Sequence, residues 1–309
     1  MQRRLLLLLS IFVMIAPACS TQSSAQTPPP TTVPHKLQFE VASIRENRSG
    51  GQATSNFLLD RGNVYSSTGG VFLATNQSLV TLLIFAYKIN INEFRGGLIR
   101  RLPGWATADK FDINARAESS KPTKEDMRLM LQSLLEDRFK LKVHRERQEM
   151  PIFGLYLTRQ GKTGPQLTPH DPTSSCSASL PLPSAETPAV AMVGLWPASC
   201  GDGTEVRTSK YRLREGGRDM TMNAIADWLT GAGESGRPIL DQTGLNGTFD
   251  FILEFDPESL GREGISAPRD DSGPTFTEAM KEQLGLQVKK QEGSISIFVV
   301  DNVEYPSAN

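Results

Sequence analysis

Few side chains in this sequence could support histidine-based catalysis or a metal site. The chain has 309 residues and only three histidines, His35, His144 and His170. No two of them have the H-x-x-x-H spacing of a zinc-binding helix. No G-x-S-x-G elbow is present either, although the members of a catalytic triad can be dispersed in sequence. We therefore expect no metal and no cofactor, and we assign no catalytic residue.

A glycine pattern resembling a nucleotide-binding loop occurs late in the chain. Gly231, Gly233 and Gly236 have the spacing G-x-G-x-x-G. A dinucleotide-binding fingerprint follows a strand and begins a helix, whereas this one follows a predicted helix. The pattern therefore indicates that the helix ends at Gly231 and that a loop follows.

Carboxylates could support glycosidase chemistry if two of them lay at a fixed separation. The pair Phe-Asp occurs twice, at Phe111-Asp112 and Phe249-Asp250. We interpret the two aspartates as equivalent residues on the polar faces of two strands, not as a catalytic pair. The other exposed acidic candidates are Asp109, Asp241 and Asp256.

Basic and apolar residues alternate between positions 138 and 144. If this run forms a strand, its basic residues share one face. Such a face is either an ordinary solvated surface or a patch for an acidic ligand, an anionic glycan or a lipid headgroup. The candidate contact residues are Arg138, Lys140, Lys142 and His144.

Two cysteines lie in a Pro-rich and Ser-rich stretch in the middle of the chain. Cys176 and Cys200 form an even pair, and in an oxidising compartment the simplest interpretation is a structural disulfide. Trp196 precedes Cys200 in the same stretch. We expect this indole either to contact a ligand or protein partner or to cover apolar surface between two folded units.

The N-terminus has the pattern of an export signal. Arg3 and Arg4 precede an apolar run at 5–15, and small residues at 16–18 precede Cys19. Cleavage before Cys19 would allow lipid attachment there, whereas cleavage after Ala25 would give a secreted protein. We therefore expect a signal peptide at 1–18, a flexible tether at 19–36, and a periplasmic, outer-membrane-attached or secreted product.

The charge balance restricts the partners. Lys and Arg number 33 and Asp and Glu number 34, for a net charge of −1. No overall positive field is available to hold a nucleic-acid backbone. Beyond the N-terminus no segment is long and apolar enough to cross a bilayer, so we expect membrane contact only through a lipid on Cys19.

The rest of the chain has the element pattern of an α+β protein. Each half reads helix, strand, helix, strand, strand. The helix caps follow the Ser/Thr/Asp/Asn preference for N-cap positions. The predicted caps are Asn76, Thr123, Asn223 and Thr275, the last with Glu278 as a capping box.

The two halves resemble one another. Phe111 and Phe153 have counterparts in Phe249 and Phe298 at nearly constant offsets. We therefore predict two related small α+β units, at 37–162 and 210–309. The Pro-rich segment 163–209 is predicted to be an insertion that joins them.

Several runs of residues resemble one known family. They are FEVASIREN (39–47), ATNQSLVTLLIFAYKI (74–89), MLQSLLEDRFKLKVHRERQEMPIFGLYL (130–157), GRPILDQTGLNGTFDFILEF (236–255), EQLGLQVKKQ (282–291) and VVDNVEYPSAN (299–309). The chain resembles the soil-associated exported proteins of acidobacteria, a domain of unknown function. The resemblance implies an envelope or secreted protein, with some relatives fused behind a BlaR1-like membrane metallopeptidase. It supplies no catalytic residues.

Three functions are compatible with these features. The first is a non-catalytic envelope module that binds a ligand or another envelope protein through strand edges, the groove between the two units, or the insertion. The second is an exported hydrolase with a dispersed carboxylate site. The third is a sensor that works with a membrane peptidase, which rests on the family resemblance alone.

Overall fold

The protein contains both strands and helices, as the alternating and helical sequence patterns predict. The computed structural model describes residues 36–98, 101–174, 200–209, 212–233, 236–256 and 273–306. The predicted signal, His35, Cys19, Cys176 and Trp196 lie outside these ranges. The described residues belong to one compact unit that begins at Lys36. Among them no helix has the length and apolar character needed to span a membrane.

The described residues form eleven strands and six helices, which confirms the α+β class. The strands are β1 (Val41–Asn47), β2 (Thr54–Ser55), β3 (Val71–Gln77), β4 (Lys110–Arg116), β5 (Lys142–Leu157), β6 (Leu167–Pro169), β7 (Gly203–Ser209), β8 (Arg212–Thr221), β9 (Ile239–Asp241), β10 (Thr248–Phe255) and β11 (Leu286–Asn302). The helices are α1 (Leu79–Tyr87), α2 (Ile91–Glu93, continued by the π-helical turn Phe94–Leu98), α3 (Trp105–Ala108), α4 (Lys124–Phe139), α5 (Met222–Ala232) and α6 (Phe276–Ala279, continued by the π-helical turn Met280–Leu284).

Two of the three sheets are antiparallel and four-stranded. Their strand orders are β1-β4-β3-β2 and β6-β10-β8-β7. The central strands β4 and β10 bury every second residue, as their sequences predict, because side chains alternate between the two faces of a strand. Strands β6 and β7 come from the predicted insertion 163–209, so part of that segment belongs to the second sheet.

Strands β5 and β11 form a long antiparallel ribbon, to which β9 adds in parallel. The ladder runs from Leu157 opposite Leu286 to Lys142 opposite Asn302. The sequence predicts two strands in each of these regions, whereas each pair is one continuous strand. Pro151 does not interrupt β5, since a residue without an N–H is tolerated where one edge of a strand is unpaired.

The buried side chains form two large clusters. The first core contains α1, α4 and the inner face of β4, with Phe72, Phe85 and Leu131 at its centre. The second core contains α5, α6 and the inner face of β10, with Ile225 and Phe251 at its centre. The ribbon joins the cores, because each of its strands has one end in the first and the other in the second.

Two predicted helix caps are confirmed and two are wrong. Thr123 and Thr275 cap α4 and α6 with complete capping boxes. Ser78 and Thr221, not Asn76 and Asn223, cap α1 and α5.

The structure shows why the two asparagines do not cap. Asn76 lies in a bulge of β3 with a φ of 56°, and its N–H donates to Asp112 at 2.8 Å. Asn223 is already inside α5, two residues beyond the cap Thr221. A residue that occupies a bulge or the helix itself cannot have the extended cap conformation.

The predicted basic strand at 138–144 is wrong over its first half. Arg138 is in the last turn of α4, and Lys140 ends that helix in the left-handed region with a φ of 51°. Strand β5 begins only at Lys142. The apolar pattern of α4 extends to Phe139, and this longer helical periodicity prevails over the short alternating run.

Asp112 and Asp250 occupy equivalent positions in their sheets. Asp112 accepts the N–H of Asn76, and Asp250 accepts the N–H of Asp219 at 2.9 Å. Asn76 and Asp219 both have a positive φ at a bulge just before a helix. The aspartates therefore stabilise matching bulges in separate sheets, although the duplication itself stays a prediction.

Candidate ligand-binding cavity

A cavity of about 380 Å³ lies where the helices of the first core meet α5 of the second. The first core contributes apolar side chains from α1 and α2, and the second contributes one face of α5. Polar groups line part of the wall. The lining residues include Arg61, Ile84, Ile89, Ile91, Phe94, Asp202, Glu205, Glu215, Asp227, Trp228, Gly231 and Ala232.

Two turns bring the isoleucines of the first core to this cavity. Helix α1 ends at Lys88, whose left-handed conformation changes the direction of the chain. Asn90 then caps α2 in a capping box with Glu93. Because the connection between the helices is so short, Ile89 and Ile91 lie beside α5.

Asp227 connects α5 to α2. It is 5% exposed, and its carboxylate accepts the backbone N–H groups of Ile91 at 3.1 Å and Asn92 at 3.0 Å. These donors belong to the first turn of α2, where a helix has no internal acceptors. Asp227 therefore fixes the distance between two walls of the cavity.

Arg61 forms ion pairs with two carboxylates from the second core's side. Its guanidinium contacts Asp227 at 2.5 Å and Asp202 at 3.0 Å. Burial by itself lowers the pKa of Arg61, but the charges and hydrogen bonds of Asp202 and Asp227 outweigh it and the pKa is raised above its ordinary value. Arg61 therefore remains a permanent cation at the cavity wall.

Helix α4 holds the loop that carries Arg61, here called the Arg61 loop (residues 56–65). Arg128 is fully buried and donates to the backbone oxygen of Gly62 at 2.5 Å and to that of Asp60 at 3.1 Å. Lys124 is 1% exposed and forms an ion pair with Asp60. Burial lowers the pKa of Lys124 and raises that of Asp60.

The Arg61 loop also packs closely on the chain near Cys200. A Cβ atom added to Gly62 would lie 2.6 Å from the carbonyl oxygen of Cys200, so only glycine fits there. Cys200 is 2% exposed. Because Cys176 is not among the described residues, the disulfide between them stays a prediction.

Trp228 forms one wall of the cavity in a fixed orientation. A Cβ atom at Gly203 would lie 2.2 Å from its ring, so the indole rests directly on the backbone of β7. Its Nε1 donates to Glu215 Oε2 at 2.7 Å. The sequence analysis named Trp196 as a candidate contact residue, but Trp196 lies outside the described residues, among which Trp228 lines this cavity.

Glu205 and Glu215 stand directly opposite each other in the β7–β8 ladder. Both line the cavity, with Asp202 and Asp227 nearby. Glu205 is exposed, whereas Glu215 is 1% exposed. Among the described lining residues, four carboxylates therefore accompany one guanidinium.

A second, smaller cavity of about 190 Å³ lies beside β10. It is lined in part by Arg218 and Asp250. The ring of His170 contacts Asp250, with 2.6 Å between Nδ1 and Oδ1. Because Asp250 also accepts the N–H of Asp219, it has a structural role in the bulge of β8.

The basic candidates of the sequence analysis do not line the larger cavity. Lys140 donates to the backbone of Asp137 at 2.9 Å, and His144 contacts Asp301 at 2.8 Å. Their role as contacts for a ligand stays a prediction. Across the described ranges, no group of three or more His, Cys, Asp or Glu is placed to hold a metal ion.

Helical periodicity carried no signal for this cavity. Asp227 lies on the side of the helix opposite the apolar residues Ile225, Ala226 and Leu229, so the sequence predicts an exposed carboxylate, whereas the structure buries it against a charged partner. The partner, Arg61, lies in a loop far away in sequence. No local pattern connects the two residues.

Comparisons with known proteins give a family but no activity. A family model described as "Protein of unknown function (DUF3738)" matches residues 80–303. No curated protein and no solved structure matches the chain. The match confirms that the chain resembles a domain of unknown function, while acidobacterial origin and peptidase fusion stay predictions.

Proposed function

We propose that this chain, which belongs to the DUF3738 family of unknown function, is an exported, non-catalytic module that binds a small ligand in the cavity between its two cores. The observation that carries the proposal is that both cores contribute walls to one cavity of about 380 Å³. Its volume is within the roughly 300–1,000 Å³ range of small-molecule sites.

The chemistry of the walls supports a binding role. Ile84, Ile89 and Phe94 supply apolar surface, while the polar groups of Arg61 and Trp228 are held in place by Asp202 and Glu215. Ligand sites commonly combine apolar walls with a small number of fixed polar groups. The described lining residues include no histidine, serine or cysteine, which favours binding over nucleophilic catalysis.

The four lining carboxylates favour one alternative, an exported hydrolase. Of the four, Glu205 and Glu215 are direct partners in the β7–β8 ladder, and this alternative assigns the acid–base chemistry to that pair. Hydrolysis of polysaccharide or peptide that disappears in Glu215→Gln would support this alternative. Substrate turnover unchanged by that substitution would exclude it for this cavity.

Export and tethering complete the proposal. A signal peptide at 1–18, a lipid on Cys19 and a tether at 19–36 would hold the folded part close to a membrane in the envelope. There it could reach a protein partner, including a membrane peptidase. Mass spectrometry of protein extracted from the envelope tests this: acylation adds mass at Cys19 and not in Cys19→Ala, and free thiols at Cys176 and Cys200 would contradict the disulfide.

The cavity is tested by filling it. A Cβ at Gly231 would meet only Ile91 Cγ1 at 3.6 Å, so Gly231→Met places a side chain in the cavity without a backbone clash. We expect the affinity for the neutral fluorescent probe N-phenyl-1-naphthylamine to fall at least about tenfold, because the added side chain displaces the probe. Methionine also favours a helix more than glycine, so stability should not fall.

The matched control is Gly104→Met. Gly104 is exposed, lies at the N-cap of α3 with helical backbone angles, and has no atom within 4 Å of an added Cβ. Probe binding should match that of the unmodified protein. Equal probe affinity in Gly231→Met and Gly104→Met, or no probe binding by the unmodified protein, would contradict the proposal.

A further inference from the structure

We infer that the ligand of this cavity is a neutral, largely apolar molecule of about two or three rings that carries an oxygen acceptor, such as a ketone. The inference rests on the proposed function and specifies the ligand class for the same site. It is carried by the contacts that the charged lining groups already make, by the carbon surface of the walls, and by the amide nitrogen of Asn90.

The charged groups that line the cavity already have partners within the protein. Arg61, the one cation among the described lining residues, contacts both Asp202 and Asp227. Asp227 also accepts two backbone N–H groups at the start of α2. Glu215 accepts the N–H of Trp228, and both lining glutamates have further partners. The cavity therefore offers a ligand no charge that still needs a partner.

A charged ligand would lose its hydration here and gain little in return. An anion would compete with two carboxylates for the guanidinium of Arg61, and a cation would compete with the present partners of the carboxylates. Removing a charge from water is costly unless the charge gains a partner. A neutral molecule avoids this cost, so the cavity favours ligands without charge.

Most of the surface that the cavity presents to a ligand is carbon. Ile84, Ile89 and Phe94 face it from the first core. Trp228 uses its one polar group, Nε1–H, in the hydrogen bond to Glu215, so its ring offers only carbon. A cavity of roughly 150 Å³ holds one benzene molecule, so about 380 Å³ accommodates about two or three rings. Burial of a ligand of this size against carbon walls is favourable.

Asn90 supplies a hydrogen-bond donor at the wall from the first core. Its Oδ1 accepts the N–H of Glu93 in the capping box of α2, which orients the amide. The other end of the amide is Nδ2, which donates hydrogen bonds and does not accept them. Within the described ranges no acceptor contacts Nδ2, and Asn90 lines the cavity. A carbonyl oxygen on the ligand is the complement of this donor.

Four ligands that share a naphthalene body test the inference: 1-acetylnaphthalene, 1-ethylnaphthalene, 1-naphthoate and protonated 1-naphthylmethylamine. The first two are neutral, and only the first carries an oxygen acceptor, whereas the last two are an anion and a cation. Affinities are measured by displacement of N-phenyl-1-naphthylamine at neutral pH. We expect 1-acetylnaphthalene to bind at least about tenfold more tightly than either ion, because the ions lose hydration without compensation. Added salt should not weaken its binding, because no pair of charges forms.

Asn90→Ser separates the amide donor from the helix cap. Serine is also a good N-cap residue, so α2 should keep its start, while the amide nitrogen is removed. The affinity for 1-acetylnaphthalene should fall about fivefold, which corresponds to one neutral hydrogen bond. The affinity for 1-ethylnaphthalene should not change. The matched control is Asn114→Ser on the exposed face of β4, which should change neither affinity.

The outcomes separate this inference from the proposed function. Probe binding that Gly231→Met weakens, with either ion as tight as 1-acetylnaphthalene, would overturn the inference and retain the cavity as a binding site. Equal effects of Asn90→Ser on the two neutral ligands would also overturn it, because Asn90 would then not donate to the ligand oxygen. Failure of the unmodified protein to bind the probe would overturn both.

Discussion

Asp227 contacts three groups that lie beyond its own core. It accepts two N–H groups at the start of α2 and the guanidinium of Arg61. A carboxylate that is buried and has several donors is costly to remove, because each donor loses its acceptor at a site from which water is excluded. Its importance therefore lies in the donors that depend on it.

Asp227→Asn should lower the free energy of unfolding by about 3 kcal/mol, since it removes the charge that compensates Arg61 in a buried site. Urea denaturation measures this. The control is Glu136→Gln, which removes an exposed ion pair with Lys36 and should cost less than about 1 kcal/mol. Equal losses in the two variants would show that the contact between the cores contributes little.

His144 is exposed on β5 and lies beside two carboxylates, those of Asp301 and Glu146. Its hydrogen bond to Asp301 raises the pKa of the imidazole above its ordinary value. Asp301→Asn should return this pKa towards that of an unperturbed histidine, measured by NMR titration of the ring protons. Glu146→Gln should have a smaller effect, because the contribution of Glu146 is lower.

The sign of the linkage follows from the raised pKa. The stabilisation by the His144–Asp301 pair is fully present below the pKa of unfolded histidine, and it is lost as the pH rises through the raised folded value. A pKa of His144 that does not change in Asp301→Asn would contradict the hydrogen bond.

Helices and strands with a regular pattern of apolar residues or a standard cap were predictable from sequence. The alternation in β4 and β10, the N-cap Thr123 of α4 and the capping box of α6 are local patterns, and the structure confirms them. The boundary between α4 and β5 was not predictable, because a lysine in the left-handed region has no sequence signature. The cavity was not predictable either, since its walls meet only through tertiary contacts.

Lys140 ends α4 in the left-handed backbone conformation. It has a φ of 51°, a conformation that costs a residue with a Cβ about 1 kcal/mol and costs glycine little. Lys140→Gly should therefore raise the free energy of unfolding by about 0.5–1 kcal/mol. Thermal and urea denaturation measure this change.

The control is Lys142→Gly, in strand β5. Glycine in a strand interior is destabilising, so the same substitution two residues later should lower stability. Destabilisation by Lys140→Gly would contradict the assignment of Lys140 as the left-handed end of α4.

Across the whole molecule, the ribbon of β5 and β11 makes the two cores interdependent. Phe298 and Val300 of β11 complete the first core, and Leu155 of β5 completes the second. Each core therefore depends on β5 and β11, and both of these strands also belong to the other core. We therefore expect one cooperative unfolding transition.

Ile225→Ala tests this cooperativity. Ile225 is fully buried in the second core, and its truncation should cost about 2–5 kcal/mol. Hydrogen exchange of backbone amides in α1, in the first core, should accelerate by the equivalent of the same free energy. Unchanged protection of α1 would show that the cores unfold separately.

The crossing of β5 and β11 also determines what a break in the chain would do. A protease that cut between Ser174 and Cys200 would produce one fragment that carries β5 and another that carries β11. The two fragments would remain bound, because the ribbon between them is paired from Lys142 to Leu157. The nicked protein would migrate as one particle under native conditions and as two chains in denaturant that contains a thiol reductant, which opens the predicted disulfide between Cys176 and Cys200.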